Sequence, residues 1–249
     1  MTVTATRADA LPLLLRRLTG DEKHAPSAHS TLDVLWVLYD RILRVSPETV
    51  DEPDRDRFLL SKGHGPAAYY AVLAAKGFIP ADWLDDLGGW DSPLGYHPDR
   101  VLIPGVEVGT GSLGHGLGLA VGMALGLRAQ GFLDSRTFVL LGDAELDEGS
   151  NYEAIAYAAA TGLPLTAIVI DNQSSTHGWP GGRSAAPTST GTEYGPRAAG
   201  TSEAIAARFF GWTASIVDGR DHDAIARALA NRDRDRPHVV VATVERKGS

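Results

Sequence analysis

Asp143 closes the apolar run TFVLLGD and Asn172 closes LTAIVIDN, and 28 residues, 144–171, separate the two. That is the length of one strand–helix–strand crossover. Parallel strands would bring both side chains to one edge of a sheet, where two hard oxygen donors can share a divalent cation. Gly142 and Ala144 flank Asp143 with small side chains, which would let a diphosphate approach the backbone. Asp and Asn also form turns after strands with no ligand present, and spacing alone leaves both readings open.

The glycine-rich stretch GVEVGTGSLGHGLGLAVGMALG, 105–126, offers a second kind of chemistry. Gly109, Gly111, Gly114, Gly116 and Gly118 permit close backbone approach to a bound ring or phosphate, or they serve as spacers between tightly packed helices. The histidines form a third group: His24, His29, His64 in SKGHG, His97 in GYHP, His115 and His177. None has zinc spacing on one helix face, which argues against a metalloprotease. A single histidine is ordinarily a surface or satisfied loop residue, but several of these stand beside the glycine motifs.

The elements that would position these groups can be read from periodicity. Apolar residues at intervals of three and four predict a helix over 30–43, with Ser30 or Thr31 as N-cap. Pro66 to Lys76 reads as a second helix ending at Gly77, and 78–111 as short helix and loop. Strands fit 137–142, 165–171, 212–217 and 238–244, each too apolar for a solvated face. Helices fit 112–130, 149–162, 202–210 and 221–231. Apolar strands alternating with helices imply an α/β fold, a parallel sheet flanked by helices on both faces, with ligands at the carboxyl ends of the strands. The whole chain, 1–249, reads as one domain, with 1–20 as a flexible or helical arm and the Gly/Ser/Thr/Pro-rich stretch 174–201 as an active-site loop.

Composition narrows the classes of function. The 249 residues are 43% hydrophobic and 22% charged, the balance of a globular domain. A formal net charge of −8 without basic clusters makes a nucleic-acid partner unexpected. The absence of cysteine excludes disulfides, thiolate catalysis and cysteine-held iron–sulfur clusters. The opening MTVTATRADALPLLLRRL lacks the apolar run and small-residue cleavage signature of a signal peptide. No apolar stretch reaches the length of a membrane span, so the expectation is a soluble cytoplasmic protein.

Four segments in order, DRFLLSKGHGPAAYYAVLAAKG, GVEVGTGSLGHGLGLAVGMALG, LLGDAELDEGSNYEA and DNQSSTHG, resemble the diphosphate-binding half of the thiamine diphosphate-dependent transketolase family. The resemblance runs from about residue 20 to the end and, in length, is closest to the N-terminal subunit of split, two-gene transketolases. It implies thiamine diphosphate as cofactor and Mg2+ or Ca2+ held by Asp143, Asn172 and the main-chain carbonyl of Ser174. It further implies that Gly111 and Leu113 line the thiamine rings, with His115 nearby, and that the backbones of Gly142 and Ala144 contact the diphosphate. His24, His64 and His97 match histidines around the thiazolium and the sugar hydroxyls, and Glu148 and Glu153 match interface carboxylates between paired sites.

Three departures mark this sequence. GDA replaces GDG, His115 replaces the glutamine of LGQG, and HAPSAHS replaces the HPGG-type glycines. An alignment without a deletion after Leu163 would put Gln173 rather than Asn172 on the metal. The implied reaction is transfer of a two-carbon ketol unit from a ketose or ketose phosphate to an aldose. A partner subunit with the pyrimidine-binding domain would complete the site, most simply as an α2β2 heterotetramer. Two alternatives stand beside this: the α subunit of a 2-oxo acid dehydrogenase or acyloin-forming enzyme, and a degenerate sugar-phosphate or nucleotide-binding module without catalysis.

Overall fold

The structure is a computed structural model, described over residues 11–18, 25–63, 65–174, 201–231 and 233–246. Its centre is a five-stranded sheet in the order β1-β2-β3-β5-β4, formed by β1 (Arg57–Leu60), β2 (Thr137–Gly142), β3 (Leu165–Asp171), β4 (Thr213–Asp218) and β5 (His238–Thr243). Every pairing is parallel. Side chains alternate between two cores. Phe138 and Leu140 of β2 join one with Ile168 and Val240, while Val139 and Leu141 join the other with Val169 and Val241. Burial on both faces is why these strands read as unbroken apolar runs.

On the first face lie α2 (Ala25–Val37), α3 (Pro66–Ala75) and α7 (His222–Ala230), which contribute Leu35, Leu73 and Ile225. On the second lie α4 (Gly116–Ala129), α5 (Gly149–Ala160) and α6 (Thr201–Arg208), which contribute Leu117, Ile155 and Ile205. A short helix, α1 (Leu11–Arg17), forms within the expected N-terminal arm because Leu11 and Leu15 are buried. Among the described residues, no helix is long and apolar enough to cross a membrane.

Several elements differ from expectation. β1 carries no sequence signal, because RFLL is only four residues long and shows no period. The strand expected over 212–217 forms as β4, but it is not covered on both faces. Its residues alternate between half-buried and exposed, and Ile216 is 43% exposed. Among the described residues β4 is an edge strand paired only with β5, so its side chains have sheet neighbours on one flank alone. Ser30 and Thr31 are not caps but lie inside α2, which begins at Ala25 and ends in a wider turn, Leu38–Ile42, closed by Leu43 N–H donating to Leu38 O at 2.9 Å. α4 begins at Gly116 rather than at 112, because Gly114 adopts φ +81°, which a right-handed helix excludes.

The amino edge of the sheet carries an ionic clamp. Buried Asp56 accepts from Arg44 Nη2 at 2.9 Å, from Arg136 Nε at 3.0 Å and from the backbone N–H groups of Arg44 and Arg136, each at 2.9 Å. Burial alone would raise its carboxyl, but these bonds outweigh it and hold the group below the usual range. Nearby, His238 is buried at the start of β5 with Nδ1 2.7 Å from Thr213 Oγ1, and burial lowers its pKa.

Candidate functional site

The carboxyl edge holds the chemistry. The register pairs Gly142 with Ile170, and Asp143 N–H donates to Ile170 O at 3.2 Å, so Asp143 follows β2 one residue past that pair and Asn172 follows β3 two residues past it, at the same edge of the sheet. The Asp143 carboxylate is 0% exposed. Its Oδ1 accepts from Ala144 N–H at 2.9 Å and from Ser174 Oγ at 2.6 Å, and its Oδ2 accepts from Ser174 N–H at 2.8 Å. Ser174 therefore meets Asp143 through its hydroxyl and its amide.

Asn172 is 1% exposed; Nδ2 donates to Ser30 Oγ at 3.5 Å, while Oδ1 is buried with no hydrogen-bond partner among the described residues. An unmade bond of this kind costs about 1–3 kcal/mol, and an amide oxygen beside a buried carboxylate is a hard donor set that fits a divalent cation. Gln173 is half-buried, and its backbone sits at φ +57°.

Ala144 opens a tight 3-10 turn, Ala144–Asp147, capped by Asp143. It is not among the residues at positive φ, so alanine replaces glycine there without backbone strain. Beside it, the buried Lys62 Nζ donates to Ser30 Oγ at 3.0 Å and to Thr31 Oγ1 at 2.6 Å. The stem of Lys62 passes Gly142, where a Cβ would lie 3.5 Å from Lys62 Cγ.

The glycine loop comes next to this cluster. Gly111 adopts φ +128°, and a Cβ there would stand 3.0 Å from the His97 ring; at Gly63 the same ring would be 3.4 Å away. His97 is thus wedged between the SKGH segment and the glycine loop. His24, His64 and His177 lie outside the described residues, as does nearly all of the loop expected over 174–201. Leu113 and His115 are exposed, with His115 Nδ1 3.0 Å from Ser112 Oγ and 3.1 Å from Leu113 O. Glu148 and Glu153 are exposed and form no ion pair among the described residues.

Sequence reasoning passed over Glu145, which lies inside the GDAELDEG motif. Its carboxylate is 2% exposed and accepts from Ser61 Oγ at 2.5 Å, Gly114 N–H at 3.0 Å and Gly142 N–H at 3.2 Å. Burial raises its carboxyl, and the bonds from Ser61, Gly114 and Gly142 only partly offset this. Lys62, Ser30 and Thr31 were also missed as a group, because their meeting depends on tertiary contact.

Comparison with known proteins assigns the family. The family described as "Transketolase, thiamine diphosphate binding domain" matches residues 19–249. A protein named Ferredoxin fas2 from Rhodococcoides fascians is 52% identical over 244 residues, covering 97% of this chain and 73% of that protein. These 249 residues contain no cysteine to hold an iron–sulfur cluster. An apulose-4-phosphate transketolase subunit from Phocaeicola vulgatus is 37% identical over 224 residues, 88% of this chain and 74% of that one. The 6-deoxy-6-sulfo-D-fructose transketolase subunit SqwG from Clostridium sp. is 33% identical over 248 residues, 95% of this chain and 84% of that one. Among solved structures, a transketolase from Pichia stipitis matches with TM-score 0.70 and 28% identity over 95% of this chain and 35% of that chain. A transketolase from Leishmania mexicana matches with TM-score 0.68 and 26% identity, over 96% and 37% respectively. The chain spans about a third of these solved transketolases. With the sheet, the strand-end oxygen donors and the glycine loop in place, the chain belongs to the transketolase family as its thiamine diphosphate-binding domain.

Proposed function

We propose that this chain is the diphosphate-binding subunit of a two-chain transketolase and that, with its partner, it moves a two-carbon ketol unit from a ketose or ketose phosphate to an aldose. The observation that carries this reading is the orphaned Asn172 Oδ1 beside the buried Asp143 carboxylate at the ends of β2 and β3. Relatives named as single subunits of transketolases support a separate partner chain.

Asp143, Asn172 and the main-chain carbonyl of Ser174 would hold Mg2+ or Ca2+, and the Lys62 ammonium adds a second positive charge close to Gly142. The preference for Asn172 over Gln173 rests on its burial and its unpaired oxygen. Gly142 and Ala144 leave the backbone accessible to the diphosphate, and Gly111 and Leu113 line the rings, with His115 at the loop's end. When bound, thiamine diphosphate supplies the electron sink for breaking and making the carbon–carbon bond. His97, with His24 and His64, holds and moves protons at the sugar hydroxyls.

The partner's pyrimidine-binding domain forms the other wall of the site. The exposed Leu113, Leu119 and Tyr157 would offer apolar side chains for docking, and the exposed Glu148 and Glu153 would face the paired site of an α2β2 assembly. Calorimetric titration of thiamine diphosphate with Mg2+ into the complex tests the reading. Asp143→Ala and Asn172→Ala should each abolish metal-dependent binding, Gln173→Ala should not, and unchanged affinity in the first two refutes the site. His97→Ala should lower turnover about 10²-fold with cofactor affinity little changed; full turnover removes its assigned role.

A further inference from the structure

We infer that Glu145 is a positioning residue that locks the glycine loop at Gly114 to the end of β2 and so sets the distance between the ring-lining and diphosphate-binding walls of the site. The inference rests on the proposed function and concerns a residue that function leaves unused. Three segments far apart in sequence send one neutral donor each to this carboxylate: Ser61 from the turn after β1, Gly114 from the glycine loop and Gly142 from the end of β2.

The surrounding bonds make the lock two-sided. Gly114 O accepts from Ser150 Oγ at 2.8 Å, so Gly114 is held through both its N–H and its carbonyl. Ser61 Oγ, while donating to Glu145, accepts from Gly116 N–H at 3.1 Å and so holds the first residue of α4. Glu145 is itself held from α5, because Asn151 Nδ2 donates to Glu145 O at 2.7 Å. Gly114 follows Leu113 directly and lies three residues after Gly111.

An ionised carboxylate accepts at about four lone-pair positions and donates nowhere, which matches three converging donors. Burying it is costly, and a fully satisfied buried polar network specifies one geometry in return. Glutamine has the same size but a single acceptor oxygen. If that oxygen keeps Ser61 and Gly114, its NH2 faces the Gly142 N–H and leaves that donor unmet.

The test uses the complex of this chain with its partner subunit. Wild type, Glu145→Gln and Ser61→Ala are titrated with thiamine diphosphate and Mg2+ by calorimetry, and their melting temperatures are measured without cofactor. Glu145→Gln should weaken cofactor affinity about tenfold to a hundredfold at a temperature where the complex stays folded, as loss of one satisfied buried donor implies. The KM for cofactor should rise more than kcat falls. Ser61→Ala should weaken affinity less, and the double variant should fall short of the sum, because both changes break one shared contact. A lowered melting temperature with unchanged affinity in both single variants overturns the inference and leaves Glu145 a stability residue. If Glu145→Gln does not fold, unchanged affinity in Ser61→Ala overturns it alone. Failure of the wild-type complex to bind thiamine diphosphate would sink the proposed function, which is a distinct result.

Discussion

Asp56 and Glu145 are buried carboxylates at opposite edges of one sheet, and their environments differ in kind. Asp56 meets two guanidinium groups and two peptide N–H groups, and its carboxyl is held low despite burial. Glu145 meets one hydroxyl and two peptide N–H groups, and burial prevails. A charge balanced by arginines is a finished contact and acts as a clamp. The Glu145 carboxylate is held by neutral donors with the Lys62 ammonium acting at longer range, and under the proposed function a cation would join it beside the Asp143 carboxylate.

The contrast predicts opposite losses at the two edges. The largest is loss of ligand at the carboxyl edge: Asp143→Ala should weaken metal-dependent cofactor binding more than about 100-fold while shifting the melting temperature little. Asp56→Ala should do the reverse. Removing one partner from a buried ion cluster costs roughly 3–5 kcal/mol, which for a domain of this size lowers the melting temperature by roughly 6–20 °C, with cofactor affinity of the folded fraction unchanged. A cofactor-binding defect in folded Asp56→Ala would break the comparison.

Acid should expose the amino edge next. His238 is lowered by burial, so the unfolded chain binds its proton more readily. Its contribution is complete above about pH 6.5, the unfolded value, and is lost as pH falls through the lowered folded value. Asp56 is lowered as well, and its contribution is present above about pH 3.9 and is lost as pH falls through its folded value. Melting curves between pH 7.5 and 5 should fall less steeply for His238→Asn than for wild type, and equal slopes would remove His238 from the account. The smallest effect belongs to Ala144→Gly. Because Ala144 needs no positive φ, restoring glycine should change stability by less than about 0.5 kcal/mol and leave cofactor affinity unaltered.

What the sequence disclosed follows from which signals are local. The places of Asp143 and Asn172 were legible because each ends a long apolar run, and the parallel register then puts both at one edge of the sheet without further information. The three central strands were legible for the same reason. β1 was not, since four residues carry no period, and the half-exposed state of β4 was not, since apolar content says nothing of a strand's place in the sheet order. The carboxylate lock was invisible because Ser61 and Glu145 are 84 positions apart, and Lys62 reaches Thr31 across 31. Pairings of that range are fixed by packing.

The sheet order also has a consequence for synthesis of the chain. β5 is made after β4 yet sits between β3 and β4, and among the described residues β4 has no other strand partner. As the polypeptide emerges, β1, β2 and β3 can assemble in order, but β4 waits with both hydrogen-bonding margins open until β5 arrives. Through that interval the nascent chain presents an unpaired strand and the uncovered flank of β3, surfaces that invite pairing with other chains. Completion of this domain therefore waits on β5, and chaperone demand should concentrate in the time between the synthesis of β4 and that of β5.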